Sequence, residues 1–277
     1  MAKVNRASIL SWLIAFIAAA FFLLPLIATF DFSLRMVRGE LTFEAYRWVL
    51  SSDVFMGALA FSTIASLTAI VLGALLVVPT AYWVRLKLPQ LRSLVEFLSL
   101  MPLIIPPVVL VFGYVRMYGS SSFLPMTTTE FGINLLLVIG YVTLSLPYMF
   151  RAVDNGMSTI DIVTLTEAAE SLGASRLRTI AVVIFPNVRS ALMSGAFLTF
   201  SISLGEFVIT SLLNRPGFGP YMVQIGEDQA YPPAALAIMA FAFTWVCMVL
   251  MEYFATRKPG QIFAPLRRPN FLKRKPR

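Results

Sequence analysis

The chain has 277 residues and a formal charge of +8, yet only 13% of its residues are charged, 58% are apolar and the mean hydropathy is +0.80. Soluble domains carry about a quarter charged residues, so the composition excludes an ordinary soluble protein and indicates an integral membrane protein. There is no histidine and one cysteine, Cys247, which removes the usual neutral-pH acid–base, an intrachain disulfide and a thiolate metal cluster.

Taken in order, the chain reads as six apolar runs separated by polar segments, an all-α polytopic membrane protein in one domain covering 1–277. The first run, about 9–30, follows Lys3 and Arg6 and exceeds the roughly 7–15 apolar residues of a signal peptide, so it is expected to be an uncleaved span. A mixed segment with Phe43, Tyr46 and Trp48 suits a short interfacial helix. The second span, about 57–82, meets the roughly 20 residues a bilayer core requires, and its Gly57, Ala58, Ala60, Ser62, Ala65 and Ala69 allow close helix contact. The third, about 94–118, holds Pro102, Pro106 and Pro107 inside an apolar helix; these predict either a plain kink or a kink lining a transport path. The fourth is about 131–150, with Asn134 and Pro147. A polar segment, 151–190, follows. The fifth span, about 191–213, contains Ser201, Ser203, Gly205 and Glu206, and the sixth is about 234–255. Glu227 and Asp228, in the last loop before it, read as a solvated loop that can also meet a partner.

The segment 164–186, TLTEAAESLGASRLRTIAVVIFP, is too polar to cross a bilayer. Leu165, Ala168, Ala169 and Leu172 fall at i, i+3, i+4 and i+7, opposite Thr164, Glu167 and Ser171, which predicts a short amphipathic helix. Gly173 suits a left-handed helix end and Ser175 a second N-cap. Leu177, Ile180, Ala181 and Ile184 repeat the spacing before Pro186 is expected to break the run. The prediction is a helix–turn–helix lying outside the membrane.

Orientation follows from charge. Of the 22 Lys and Arg residues, 17 fall in the N-terminus, the second and fourth loops and the tail, and 5 in the other loops. Cytoplasmic segments collect positive charge, so both termini and 164–186 are predicted to be cytoplasmic. The tail, with Arg267, Arg268, Lys273, Arg274 and Lys275, is explained by anionic lipid headgroups at about 1 kcal/mol per residue, and no nucleic-acid role is needed. No Gly-Lys pair occurs anywhere, so the chain lacks the phosphate-cradling loop of an ATPase, and it shows no nucleophile elbow or zinc motif. Glu206 is the ionisable residue singled out within a span, where such a group costs at least about 2.5 kcal/mol and faces a cavity or a partner. It reads either as a solute contact, with Ser203, or as a structural pairing. Ser201, Tyr114 and Asn134 complete the candidate path.

Glu167-Ala168-Ala169, three residues, Gly173, then Ile184-Phe185-Pro186 resembles the EAA loop of permease subunits in binding-protein-dependent ABC importers, with Val183 and Phe185 replacing the usual Ile and Leu. The resemblance implies a type I ABC importer permease fold in the bacterial inner membrane and an ATPase-coupling role for Glu167, Ala168, Ala169, Leu172, Gly173, Ala174, Arg176 and Pro186. It also implies a cytoplasmic ATPase dimer that supplies the ATP and magnesium chemistry, a second permease subunit that is a different chain, and an extracytoplasmic solute-binding protein. The chain itself is expected to bind no cofactor or metal and to be no enzyme. Residues 203–208, SLGEFV, resemble the fifth-span segment of polyamine-type permeases, although Gly205 stands where a second acid is common. Related iron, phosphonate and anion permeases carry Gly-Glu here as well. The expected solute is a polyamine such as spermidine or putrescine, with those other solutes as alternatives. A secondary transporter using Glu206 as proton site is the reading from another class; the inverted repeat such a fold uses is not apparent.

Overall fold

The structure, a computed structural model, describes residues 6–256, with side chains for 10–253. Lys3 and the basic tail with Arg267, Arg268, Lys273, Arg274 and Lys275 lie outside the described residues. Among the described residues all regular structure is helical, as expected. Five helices are long and apolar enough to span a membrane, and a pair bent by 97° makes a sixth crossing if counted as one span.

The elements are α1 (Arg6–Ser33), α2 (Glu44–Leu50), α3 (Asp53–Leu86), α4 (Arg92–Leu100), α5 (Pro107–Tyr118), α6 (Glu130–Ser158), α7 (Ile162–Ser171), α8 (Arg176–Leu204), α9 (Val208–Leu212), α10 (Phe218–Asp228) and α11 (Pro232–Thr256). The short helix expected around Tyr46 is α2. The first, second and sixth spans fall where the apolar runs place them, each a few residues longer.

Three spans differ from expectation, each for an identifiable reason. The third is two helices. After α4 the chain makes a tight turn at Met101–Leu103, and α5 begins at Pro107. Proline forces the residue before it out of the helical region, and Pro106 accordingly sits at φ −59°, ψ 139°. The fourth span does not stop at Phe150. It continues two turns to Ser158, because Asp154 is neutralised within the fold: its Oδ1 is 2.6 Å from Arg85 Nε and its Oδ2 is 3.3 Å from Arg92 Nη2. The fifth span begins at Arg176 and ends at Leu204, not at 191 and 213. Pro186 therefore does not end a separate second helix of a hairpin. Lacking an N–H, proline cannot serve the carbonyl four residues earlier, and the helix absorbs the misfit by widening into a π turn at Ile180–Ile184. Asn187 Nδ2 donates to the Val183 carbonyl at 2.7 Å.

The core is the trio α3, α6 and α8. Small residues set their approach. Gly156 leaves no room for a methyl group against Ala191, and one added at Gly195 would lie 2.9 Å from Met149 Sδ. Such contacts replace the hydrophobic effect as the packing force inside a bilayer. One end of the bundle carries α7 and the buried cluster of Tyr82, Met149, Val153, Met157 and Ile184. The far end carries α9 and α10, with Phe55, Phe218, Tyr221 and Leu236 buried together. α1 packs on α11 and exposes Trp12, Phe16, Phe21 and Phe22, as a lipid-facing helix does.

Candidate functional site: the α7 hairpin and the polar faces of the spans

α7 is built by its caps. Asp161 precedes it; its Oδ1 accepts from Thr164 N at 3.1 Å and its Oδ2 from Thr164 Oγ1 at 2.7 Å. The Thr164 hydroxyl, and then its amide, hold the Asp161 carboxyl below the usual range, against a smaller opposing effect of desolvation. At the other end Gly173 adopts φ +78°, Gly173 N donates to the Glu170 carbonyl at 2.9 Å and Ala174 N to the Ala169 carbonyl at 3.0 Å. This paired closure needs a left-handed residue, which glycine supplies without strain. Ser175 occupies the N-cap position of α8 without a side-chain capping bond.

The expected apolar stripe divides. Ile162, Thr166 and Ala169 are buried, Leu165 is half-buried, and Ala168 and Leu172 point outward. The cause is a bond the periodicity does not reveal: Thr166 Oγ1 lies 3.1 Å from Tyr82 Oη in the core and turns that face inward. Two leucines are left at the tip, Leu172 at 89% exposure and Leu177 at 76%, beside exposed Glu167 and Arg176. Beneath them Arg85 also donates from Nη2 to the Asp154 carbonyl at 2.8 Å, so one carboxylate joins the ends of α3, α4 and α6. No motif in the sequence points to Asp154, Arg85 or Tyr82. Their signal was one of depth, an acid one turn past a span end with arginines at the same level on two other spans.

Glu206 lies in the break between α8 and α9, not inside a span. It is 9% exposed, and its carboxylate caps α9: Oε1 accepts from Ile209 N at 2.9 Å, and Oε2 from Thr210 N and Thr210 Oγ1, both at 3.0 Å. The Tyr141 hydroxyl reaches Thr210 Oγ1 at 2.6 Å. Of the pair expected to act together, Ser203 is fully buried with its Oγ unpartnered. Tyr114 packs with its ring against Gly140, and Asn134 lines a groove between α3 and α6. Ser201 is exposed.

Ser201 belongs to a larger pattern. Asn187, Ser190, Ser194, Leu198 and Ser201 recur at three- and four-residue steps along α8, with Gly205 just past its end, and all are exposed. They form one face. Over the first part of that face, Asn155 of α6 and Thr159 just past its end join Asn187, Ser190 and Ser194 around a groove of about 470 Å³. A polar face along a spanning helix is costly against lipid, so it requires water or protein opposite it.

The family described as "Binding-protein-dependent transport system inner membrane component" matches residues 69–258. The chain belongs to this family. A permease of this family is a transport subunit and not itself an enzyme. This permease is 26% identical to the probable molybdenum ABC transporter permease protein of Haloferax volcanii over 252 residues, covering 87% of this chain and 88% of that one. It is 27% identical to the putative 2-aminoethylphosphonate transport system permease protein PhnU of Salmonella typhimurium, over 87% and 86% of the two chains. Its fold matches a chain in the crystal structure of a bacterial alginate ABC transporter in complex with an alginate pentasaccharide-bound periplasmic protein, with a TM-score of 0.68 at 15% identity, over 91% of this chain and 93% of that one. Neither relative is named for a polyamine.

Proposed function

We propose that the permease receives force from a cytoplasmic ATPase dimer through the α7 tip and passes a small anionic solute along the polar face of α8. The α7 end is then cytoplasmic and the α9–α10 end extracytoplasmic, an orientation the charge distribution supports. A second permease closes over the polar faces, and a solute-binding protein delivers to the far end. ATP and magnesium are handled by the ATPase, whose closure draws the coupling segments together and rocks the spans.

The observation that carries the coupling role is the pairing of anchorage with exposure. α7 is fixed by Asp161, by the Thr166–Tyr82 bond and by the Gly173 closure, yet Leu172 at its end and Leu177 in the first turn of α8 are left exposed. Exposed leucines on a rigid tip are the anchors an opposing groove accepts. Replacing both by Asp costs the fold little, because neither is buried. It should abolish co-purification of the ATPase while leaving the spans intact. Retention of the ATPase at wild-type stoichiometry would overturn the reading.

The anionic solute is supported by what the polar faces hold. Asn155, Thr159, Asn187, Ser190, Ser194 and Ser201 are neutral donors, with exposed Arg151 on the same helix as Asn155. Glu206, which reads from the sequence either as a solute contact or as a structural pairing, has both oxygens engaged by α9, so it is unsuited to a polycation such as spermidine. The named relatives point the same way. Uptake by cells carrying the complete importer should respond to a small oxyanion and not to spermidine; the reverse outcome restores the polyamine assignment.

A further inference from the structure

A second groove, between α3 and α6, opens at the far end and has a different chemistry. It encloses about 370 Å³ and is lined by Phe61, Ile64 and Leu72 of α3 and by Phe131 and Asn134 of α6. From Phe61 to Leu72 the helix rises about 16 Å at 1.5 Å per residue, roughly half of the ~30 Å hydrocarbon core. Ile64 is 66% exposed, so the groove is open along its side.

At its mouth stands Arg215. The guanidinium carbon lies 5.6 Å from the centre of the Phe61 ring, and Nη1 is 3.9 Å from Glu130 Oε1, immediately before Phe131. The Arg215 side chain is 14% exposed while that of Glu130 is 88% exposed, so the pair is long and the carboxylate is largely surrounded by solvent. Arg215 Nε is buried with no hydrogen-bond partner. A mostly buried guanidinium whose ion pair is this long favours an oxyanion that can accept two N–H bonds at once. One helical turn below Glu130, Asn134 lines the groove, and a carboxamide can donate from Nδ2 to an ester carbonyl.

We propose that this groove holds one phospholipid of the adjacent leaflet, its phosphodiester on Arg215, its glycerol ester near Asn134 and one acyl chain between Phe61 and Leu72. Charge complementarity at the mouth and the half-bilayer length of the apolar part fix the occupant: a free anion uses the first and leaves the second empty. The site is independent of the solute path, which lies on α8.

The test is lipid retention by the importer purified with its partners in detergent, measured by native mass spectrometry after repeated detergent exchange. Wild type should keep one phospholipid per copy of this chain. Arg215→Gln should lower retention about tenfold, the effect of roughly 1.4 kcal/mol, and Arg215→Lys should fall between, since it keeps charge but loses the planar fork. Ile64→Trp, at an exposed wall position, should lower retention as much by filling the groove without touching the charge. Millimolar inorganic phosphate should not displace the lipid. The proposal is overturned if wild type retains no lipid, if neither groove nor mouth substitution lowers retention, or if phosphate displaces the lipid, which would mark a free-anion site. It is equally overturned if Ile64→Cys crosslinks to the second permease, which would place a protein helix in the groove.

Discussion

The break between α4 and α5 is made by proline, and the break between α8 and α9 is closed by a carboxylate. At the first, Pro102, Pro106 and Pro107 interrupt the helix without any side-chain cap, and an apolar hollow of about 220 Å³ remains at the elbow, lined by Leu98, Met101, Pro102 and Leu146. At the second, Glu206 accepts two amides and a hydroxyl, and the next segment is packed hard against it: Gly217 admits no methyl group beside Thr210, and one added at Gly219 would lie 2.6 Å from the Glu206 carbonyl oxygen. The difference lies in which backbone groups each break frees. Proline has no N–H to lose, so its helix starts with one orphan donor fewer. α9 starts with ordinary residues in a buried part of the fold, where an unsatisfied amide costs about 1–3 kcal/mol. An acceptor had to be supplied there, and Glu206 supplies it.

Glu206→Ala is the largest test of that contrast. It strips the acceptor from two buried amides and the Thr210 hydroxyl, at about 1–3 kcal/mol for each group left unsatisfied, and should sharply lower the yield and thermal unfolding temperature of the detergent-solubilised protein. Glu206→Gln keeps one oxygen and should recover most of the stability and of the uptake. If Gln leaves the unfolding temperature intact but removes uptake as completely as Ala does, Glu206 is a proton or solute group and the contrast between the two breaks fails.

The glycines sharpen the same comparison at smaller magnitude. Gly219→Ala forces a methyl group onto a backbone carbonyl that cannot rotate away, and overpacking of this kind costs about 1–3 kcal/mol. Gly113→Ala in α5 meets nothing within 4 Å and replaces glycine inside a helix, so it should be stabilising by about 0.5–1 kcal/mol. Paired thermal melts of the two variants should move in opposite directions. Equal losses would mean that the α4–α5 elbow is packed as tightly as the segment after Glu206.

Residue types that act locally make the apolar runs, the short helix α2 and the left-handed Gly173 legible in the sequence, with five or six crossings among the described residues. What stayed hidden depended on partners far away in the chain. Tyr82 and Thr166 are 84 residues apart, and their bond decides which face of α7 is buried. Arg85 and Asp154 are 69 apart and extend α6 beyond its apolar run. Pro186 misled in the opposite sense. Its rule is local, but the π turn before it and the packing of Ile184 and Val188 carry the helix through. Glu206 stands out in the sequence for the right reason, the cost of a charge in a membrane, while hydropathy alone does not reveal that the span ends two residues before it.

Asp161 performs for α7 in water what Glu206 performs for α9 within the bundle, and so it should give the smallest effect. Its carboxyl is held below the usual range by the Thr164 hydroxyl and then the Thr164 amide. A group whose folded value is depressed contributes stability above its unfolded value, about 3.9 for Asp, and loses it as pH falls through the lowered folded value. Water can replace the cap at this exposed end, so the global unfolding temperature should not move. Amide exchange in the first turn of α7 should instead show greater relative opening at the acid end of that range than at pH 6, after correction for intrinsic exchange. Asp161→Asn retains an oxygen acceptor and does not titrate, and it should abolish that pH dependence while leaving α7 folded. A wild-type pH dependence that persists in Asp161→Asn would assign the titration to a different group and separate the two carboxylate caps in kind rather than in degree.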